Sequence, residues 1–158
     1  MKRIRPVQAF TLVLAALCLL WGVEYWVSER RHQGDFVRVA PDNRGEVRIA
    51  VAEIAPRQVR FYRFLNSGTQ EVKFFIGRDP LGHLQVAFDA NETCAKGKRG
   101  YRPDGEWVVC NKCDKAFRLA EVNAGGGGCK PVPLEFQEEG TEVRLAEANI
   151  LKGWRLFH

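Results

Sequence analysis

Residues 87–134 read AFDANETCAKGKRGYRPDGEWVVCNKCDKAFRLAEVNAGGGGCKPVPL. They hold four of the chain's five cysteines: Cys94, Cys110, Cys113 and Cys129. Cys110 and Cys113 form a C-x-x-C, with fifteen residues between Cys94 and Cys110 and fifteen between Cys113 and Cys129. A C-x-x-C turn aims two thiolates at one point, because two intervening residues let the backbone curl with its N–H groups toward the sulfurs. A tetrahedral ion then needs two more ligands from elsewhere in the chain. Thiolate suits zinc, iron or an iron–sulfur cluster and suits calcium or magnesium poorly. Gly125 to Gly128 lead into Cys129 and allow positive φ, so that backbone N–H groups can approach a bound sulfur. Pro131 then fixes the direction in which the chain leaves. The four cysteines are the candidate metal ligands.

Outward from this segment, the flanking sequence reads as β. Val47, Ile49 and Val51 alternate with polar or small residues, and Gln58 to Leu65 is β-branched and aromatic. Asp79-Pro80-Leu81-Gly82 has the residues of a type I turn and joins Val72–Ile76 to Leu84–Phe88, so Glu71 to Phe88 is predicted to be a hairpin. Trp107–Val109 runs as a strand into Cys110. Leu134 and Phe136 face Val143 and Leu145 across Glu138-Glu139-Gly140, a second hairpin. Ala146 to Lys152 is predicted as a short helix stopped by Gly153. Phe36 to Val39 is a further strand candidate. The predicted fold is mainly β: a small β-rich domain, residues 46–158, with a loop-rich four-cysteine site. A loop-rich segment has few core contacts, so a metal or disulfides would supply the missing cohesion.

The N-terminus has a different character. Residues 1–8 are a short basic tail, expected to be cytoplasmic, and residues 9–27 (AFTLVLAALCLLWGVEYWV) are almost unbroken apolar sequence. As a helix these nineteen residues would measure about 28 Å, close to a bilayer core. Trp21, Tyr25 and Trp26 gather at the distal end as an interfacial belt would. The segment lacks the small-residue end of a cleaved signal peptide. The residues around Cys18 do not form a lipoprotein site either, and Cys18 is expected to be an apolar side chain of the helix. The expectation is a single transmembrane helix at 9–27, N-terminus inside, followed by a connector at 28–45.

The chain has 158 residues and a net charge of +5. Lys2, Arg3 and Arg5 of the tail carry much of that excess, which leaves nucleic-acid binding without support. Lys96, Lys98 and Arg99 form a short basic cluster, either a solvated loop or a dock for an acidic partner. No Ser/His/Asp set, phosphate loop or carboxylate pair stands out, so hydrolysis and group transfer have no support. On the residues alone the cysteines leave three structures open: a four-thiolate metal site, a structural zinc module, or two disulfides in an oxidising compartment. A thioredoxin-like use of Cys110 and Cys113 would place C-x-x-C at a helix start, and here it follows a strand.

The run RDPLGHLQVAFDA…C…KGKRGYRPDGEWVVCNKCDKAF…GGGGCKPVPLEF resembles the FtrD-like membrane iron–sulfur proteins of bacteria, which occur with iron-transport components. The resemblance covers about residues 46–158. It is most specific at Phe88-Asp89-Ala90, Gly100-Tyr101, Cys110-x-x-Cys113 with Phe117, and Gly128-Cys129-x-Pro131. Many members have a second C-x-x-C beginning just after Asp-Ala; here that position is Asn91, and Cys94 remains. The resemblance implies an iron–sulfur cluster on Cys94, Cys110, Cys113 and Cys129, with zinc as the alternative. It implies an electron carrier in iron uptake rather than a catalyst acting on a small molecule. The implied partners are membrane redox or iron-permease proteins and the lipid bilayer, with no nucleic acid. The implied location is the bacterial inner membrane, single-pass, with the soluble domain on the periplasmic side. The alternative is a zinc-binding or disulfide-stapled β domain serving as a binding subunit of a membrane complex. A Rieske-like centre would need two histidine ligands, and His32, His83 and His158 are not spaced for it.

Overall fold

The computed structural model describes residues 13–24, 35–97 and 99–158. Two units separate, residues 1–34 and Asp35–His158. In the first, residues 13–24 form a helix, α1, exposed along its length. No helix among the described residues is long and apolar enough to cross a membrane, so the expected span of 9–27 is not shown. Residues 9–12 and 25–27 of the expected span lie outside the described residues, as do the tail at 1–8 and residues 28–34 of the connector.

The second unit is mainly β. Among the described residues its strands are β1 (Phe36–Val39), β2 (Glu46–Ala50), β3 (Val59–Leu65), β4 (Glu71–Arg78), β5 (Leu84–Phe88), β6 (Tyr101–Asp104), β7 (Trp107–Cys110), β8 (Ala116–Arg118), β9 (Gln137–Glu139) and β10 (Glu142–Ala146). A short helix, α2 (Glu147–Lys152), follows. They form three sheets: β1-β3-β4-β5, β2-β10-β9 and β6-β7-β8. The predicted hairpins are present. Phe74 pairs with Phe88 in one, and Gly82 N–H closes the turn on Asp79 O at 3.0 Å. Glu142 pairs with Glu139 in the other.

The four-stranded sheet is the middle layer. Strand alternation sends Tyr62, Phe64, Val72, Phe74, Ile76, Leu84, Val86 and Phe88 to one face, where they meet Val47, Ile49, Val143 and Leu145 of the β2-β10-β9 sheet. Phe61, Phe75 and Ala87 face the other way, onto Cys94, Tyr101, Val108, Cys110, Leu119 and Val122. A strand covered on both faces has no solvated side, which is why all five residues of β5 are buried. Gln85 tolerates this because its side-chain oxygen accepts the Asn123 N–H at 3.2 Å.

The outer edge of β5 decides where the cysteines go. Asn123, in the 3₁₀ segment Leu119–Ala124, accepts Val86 N–H at 2.9 Å. Beside it, Phe88 N–H donates to Val132 O and Leu134 N–H to Val86 O. Residues 132–134 thus run along the strand and hide its edge from other chains. They also carry the chain just after Cys129 back to the chain just before Cys94.

Candidate metal centre

Each cysteine is placed by backbone hydrogen bonds. Beyond β5, Val132 N–H reaches Ala90 O at 3.2 Å and Thr93 N–H reaches Gly128 O at 3.4 Å, which sets the Cys94 loop beside the Cys129 loop. In the third sheet Tyr101 pairs with Cys110, and Asn111 N–H donates to Gly100 O at 3.0 Å. The C-x-x-C turn is closed from both sides: Asp114 N–H donates to Cys110 O and Cys110 N–H to Lys115 O, each at 2.9 Å. Asp114 has a φ of +54°, a left-handed residue that bends the chain back over Cys113.

The result is convergence. The sulfurs of Cys94, Cys113 and Cys129 all lie within 4.8 Å of one another. Cys94 Sγ and Cys129 Sγ are 3.4 Å apart, far beyond the roughly 2.05 Å of a disulfide, and all five cysteines are free. Cys110 falls outside that trio, but its thiol neighbours both Cys94 and Cys113 and bears on the ionisation of each. Cys94 and Cys110 are buried, Cys129 is half-buried and Cys113 is exposed. The site therefore has a dry side and one wet edge.

Asn91 ties the dry side together. It is buried, and its carbonyl accepts Cys94 N–H at 2.5 Å. Its amide donates to Tyr101 Oη at 2.8 Å and points at Cys110 Sγ at 3.8 Å. Tyr101 Oη in turn donates to Cys129 O at 2.6 Å. One asparagine thus reaches three of the four cysteine segments, directly or through Tyr101. From the resemblance, Asn91 stands where a cysteine is expected, with either a donor role at the site or no role open to it. Tyr101 packs at the site, whereas Trp107 sits at the other end of β7, under the Arg118 guanidinium.

The Gly125–Gly128 run does not donate to sulfur among the described residues. The N–H group that reaches a cysteine sulfur among the described residues is the Asn91 amide, at Cys110. Positive φ at Gly125, Gly126 and Gly128 instead shapes the turn that delivers Cys129.

Burial divides the thiols. At Cys94, burial and the neighbouring thiols of Cys129, Cys110 and Cys113 push the pKa up to about 12. At Cys113 the Lys115 N–H favours thiolate and holds the pKa down at about 7. A metal would replace the protons on such a set. The chemistry of the donors, four thiols with the Asn91 amide directed at one of them, fits a thiolate-bound iron or zinc centre.

Asp89 supports the site from below, a role that the sequence does not signal. Its carboxylate accepts Tyr101 N–H at 2.7 Å. Burial raises its pKa to about 7, against the opposing pull of that N–H and of Lys73. Gly100, at a φ of +61°, lies so close to this carboxylate that a β-carbon would overlap it. Asp89, Asn91, Cys94 and Arg99 line a cleft of about 190 Å³ beside the cysteines.

Comparison with known proteins points the same way. A family model described as "Membrane iron-sulfur containing protein FtrD-like" matches residues 54–157. No curated protein and no solved structure matches the chain.

Proposed function

The chain belongs to the FtrD-like family of membrane iron–sulfur proteins, and from that premise we propose that it is a membrane-attached electron carrier in bacterial iron uptake. The observation that carries this reading is the meeting of Cys94, Cys113 and Cys129 within 4.8 Å, with no disulfide formed. Cys110, next to Cys94 and Cys113, completes a four-thiolate set, and together they would hold an iron–sulfur cluster. Bound there, such a centre supplies reversible one-electron chemistry. The chain's own residues do the rest. Asn91 fixes Cys94 and Tyr101, burial of Cys94 and Cys110 limits water, and N–H donors offset negative charge on sulfur. The apolar segment at 9–27 attaches the protein to the inner membrane, with the β domain on the periplasmic side. Its partners there are membrane redox or iron-permease proteins.

A second reading is favoured by the sulfur spacing. Around one tetrahedral ion with bonds of about 2.3 Å, sulfurs sit about 3.8 Å apart, comparable with 3.4 Å for Cys94 and Cys129. That spacing suits a single ion, such as a structural zinc, and would make the domain a binding subunit.

Anaerobic purification of the full chain, with iron, zinc and acid-labile sulfide assayed beside the visible spectrum, separates the two. Iron and sulfide in comparable amounts, with a bleachable visible absorption, support the electron carrier. One zinc and a colourless protein overturn it. In either case Cys129→Ser and Cys110→Ser should each lose most of the bound metal; unchanged occupancy would remove that residue from the ligand set.

A further inference from the structure

The wet edge of the cysteine site has a charge of its own. From Glu92 to Lys130 the chain has eight basic and five acidic residues. Lysines stand close to the converging cysteines in sequence: Lys96 follows Cys94 by two, Lys112 and Lys115 bracket Cys113, and Lys130 follows Cys129. Because the sulfurs of Cys94, Cys113 and Cys129 share one small volume, lysines one or two residues away spring from the backbone that surrounds it. Lys112 illustrates this, since its stem lies 3.1 Å from where a β-carbon on Gly97 would be, across from the Cys94 loop.

Lys96, Arg99, Lys112 and Lys115 are exposed, as is Cys113 at their centre. Among the described residues none of these cations forms an ion pair. The nearest acid in sequence, Asp114, is held by Arg102 at 2.8 Å. Lys130 is turned inward onto Gly125 O. Glu92, also exposed, precedes Cys94 by two, while Glu138 and Glu139 are exposed on β9, in the sheet on the opposite side of the middle layer.

We propose that Lys96, Lys112 and Lys115 form a docking surface around Cys113 for the acidic face of an electron-exchanging protein partner. This rests on the electron-carrier reading, since it places the contact at the one edge where the centre approaches solvent. A field of one sign focused on such an edge steers an oppositely charged partner to it and weakens as salt screens it.

The test uses the full chain in non-ionic detergent, reduced and then mixed rapidly with ferricyanide, a trianion, or with hexaammineruthenium(III), a trication. One electron leaves the reduced centre and the oxidant's metal falls from the III to the II state; no proton or ligand moves. The expected result is a ferricyanide rate that falls about tenfold from low to high salt, with no fall for the ruthenium complex. The variant with Lys96→Gln, Lys112→Gln and Lys115→Gln should lose most of that dependence. A ferricyanide rate indifferent to salt overturns the docking surface and leaves the electron carrier standing, and so does a dependence unchanged in the variant.

If no redox-active centre is found, the electron-carrier reading fails and the surface is tested separately. In the metal-stripped, thiol-reduced chain, alkylation of Cys113 by anionic iodoacetate is compared with neutral iodoacetamide. A salt-sensitive preference for iodoacetate, lost in the lysine variant, keeps an anion-attracting surface; equal response to salt removes it.

Discussion

Asn91 Oδ1 accepts the backbone N–H of Cys94 at 2.5 Å, while the same side chain's amide faces Tyr101 and the sulfur of Cys110. This bond sets the direction in which the Cys94 loop leaves β5. The other contacts bind that loop to β6 and β7, so the geometry of the site depends on a residue that is not a cysteine.

Asn91→Ala should therefore harm both fold and site. It strands buried donors and acceptors, and each such loss costs about 1–3 kcal/mol. Denaturant unfolding should show a lower midpoint, and metal per chain should fall. An unchanged midpoint with full metal content would mean that the Asn91 bonds contribute nothing.

Asp89 predicts how stability depends on pH. Its folded pKa, about 7, is above the ordinary value of 3.8, chiefly because it is buried. Between those values the folded state holds a proton that the unfolded chain releases, so this group's contribution to stability falls as pH rises through that window and is level above it. Asp89→Asn keeps an acceptor for Tyr101 N–H and removes the charge. It should be more stable than the parent at pH 8 and similar near pH 4, as read by thermal melts. A variant equally destabilised at both values would show that the carboxylate is needed for shape and not merely tolerated.

The thiols should differ in reactivity once metal is removed. Cys113, exposed and with a pKa held down to about 7, should be alkylated at neutral pH well before Cys94, whose pKa is pushed up to about 12. Timed iodoacetamide labelling with peptide mass spectrometry measures this. The Cys113 rate should rise as pH passes through 7, where thiolate replaces thiol. Equal rates for the two cysteines would show that the burial difference does not persist without metal.

Gly100→Ala should be among the more damaging single changes in the domain. The substitution strains a φ of +61° and drives a methyl group into the Asp89 carboxylate. A loss of more than about 2 kcal/mol is expected from combined strain and overpacking. Gly105→Ala serves as the control: it has a similar φ of +57° and open space around it, so only the backbone term applies. Equal losses at the two positions would rule out the Asp89 contact as the cause.

The strands of the two hairpins and β2 were legible because burial on a pleated surface writes itself into alternation, as in Val143 and Leu145 against Val47 and Ile49. The turn at Asp79–Gly82 was legible because its residue types are dictated locally. β6 was not, since Pro103 and the charges of Arg102 and Asp104 mask a four-residue edge strand. β8 was not, since three residues carry too little periodicity. The parallel pairing of Phe36 with Phe61 joins segments distant in the chain, which no local pattern encodes.

The sequence by itself determined the donor chemistry: four thiols, two of them in a C-x-x-C, with glycine and proline punctuating the approach to Cys129. It also determined most of the strand content, β6 and β8 excepted, because side-chain periodicity is a property of neighbours along the chain. Only the tertiary structure decided which sulfurs meet, which one faces water, and that Asn91 and Asp89 serve the site. Those outcomes depend on residues 132–134 pairing along β5 and on β6 pairing with β7, contacts between distant segments whose hydrogen bonds exist only once the chain has closed on itself.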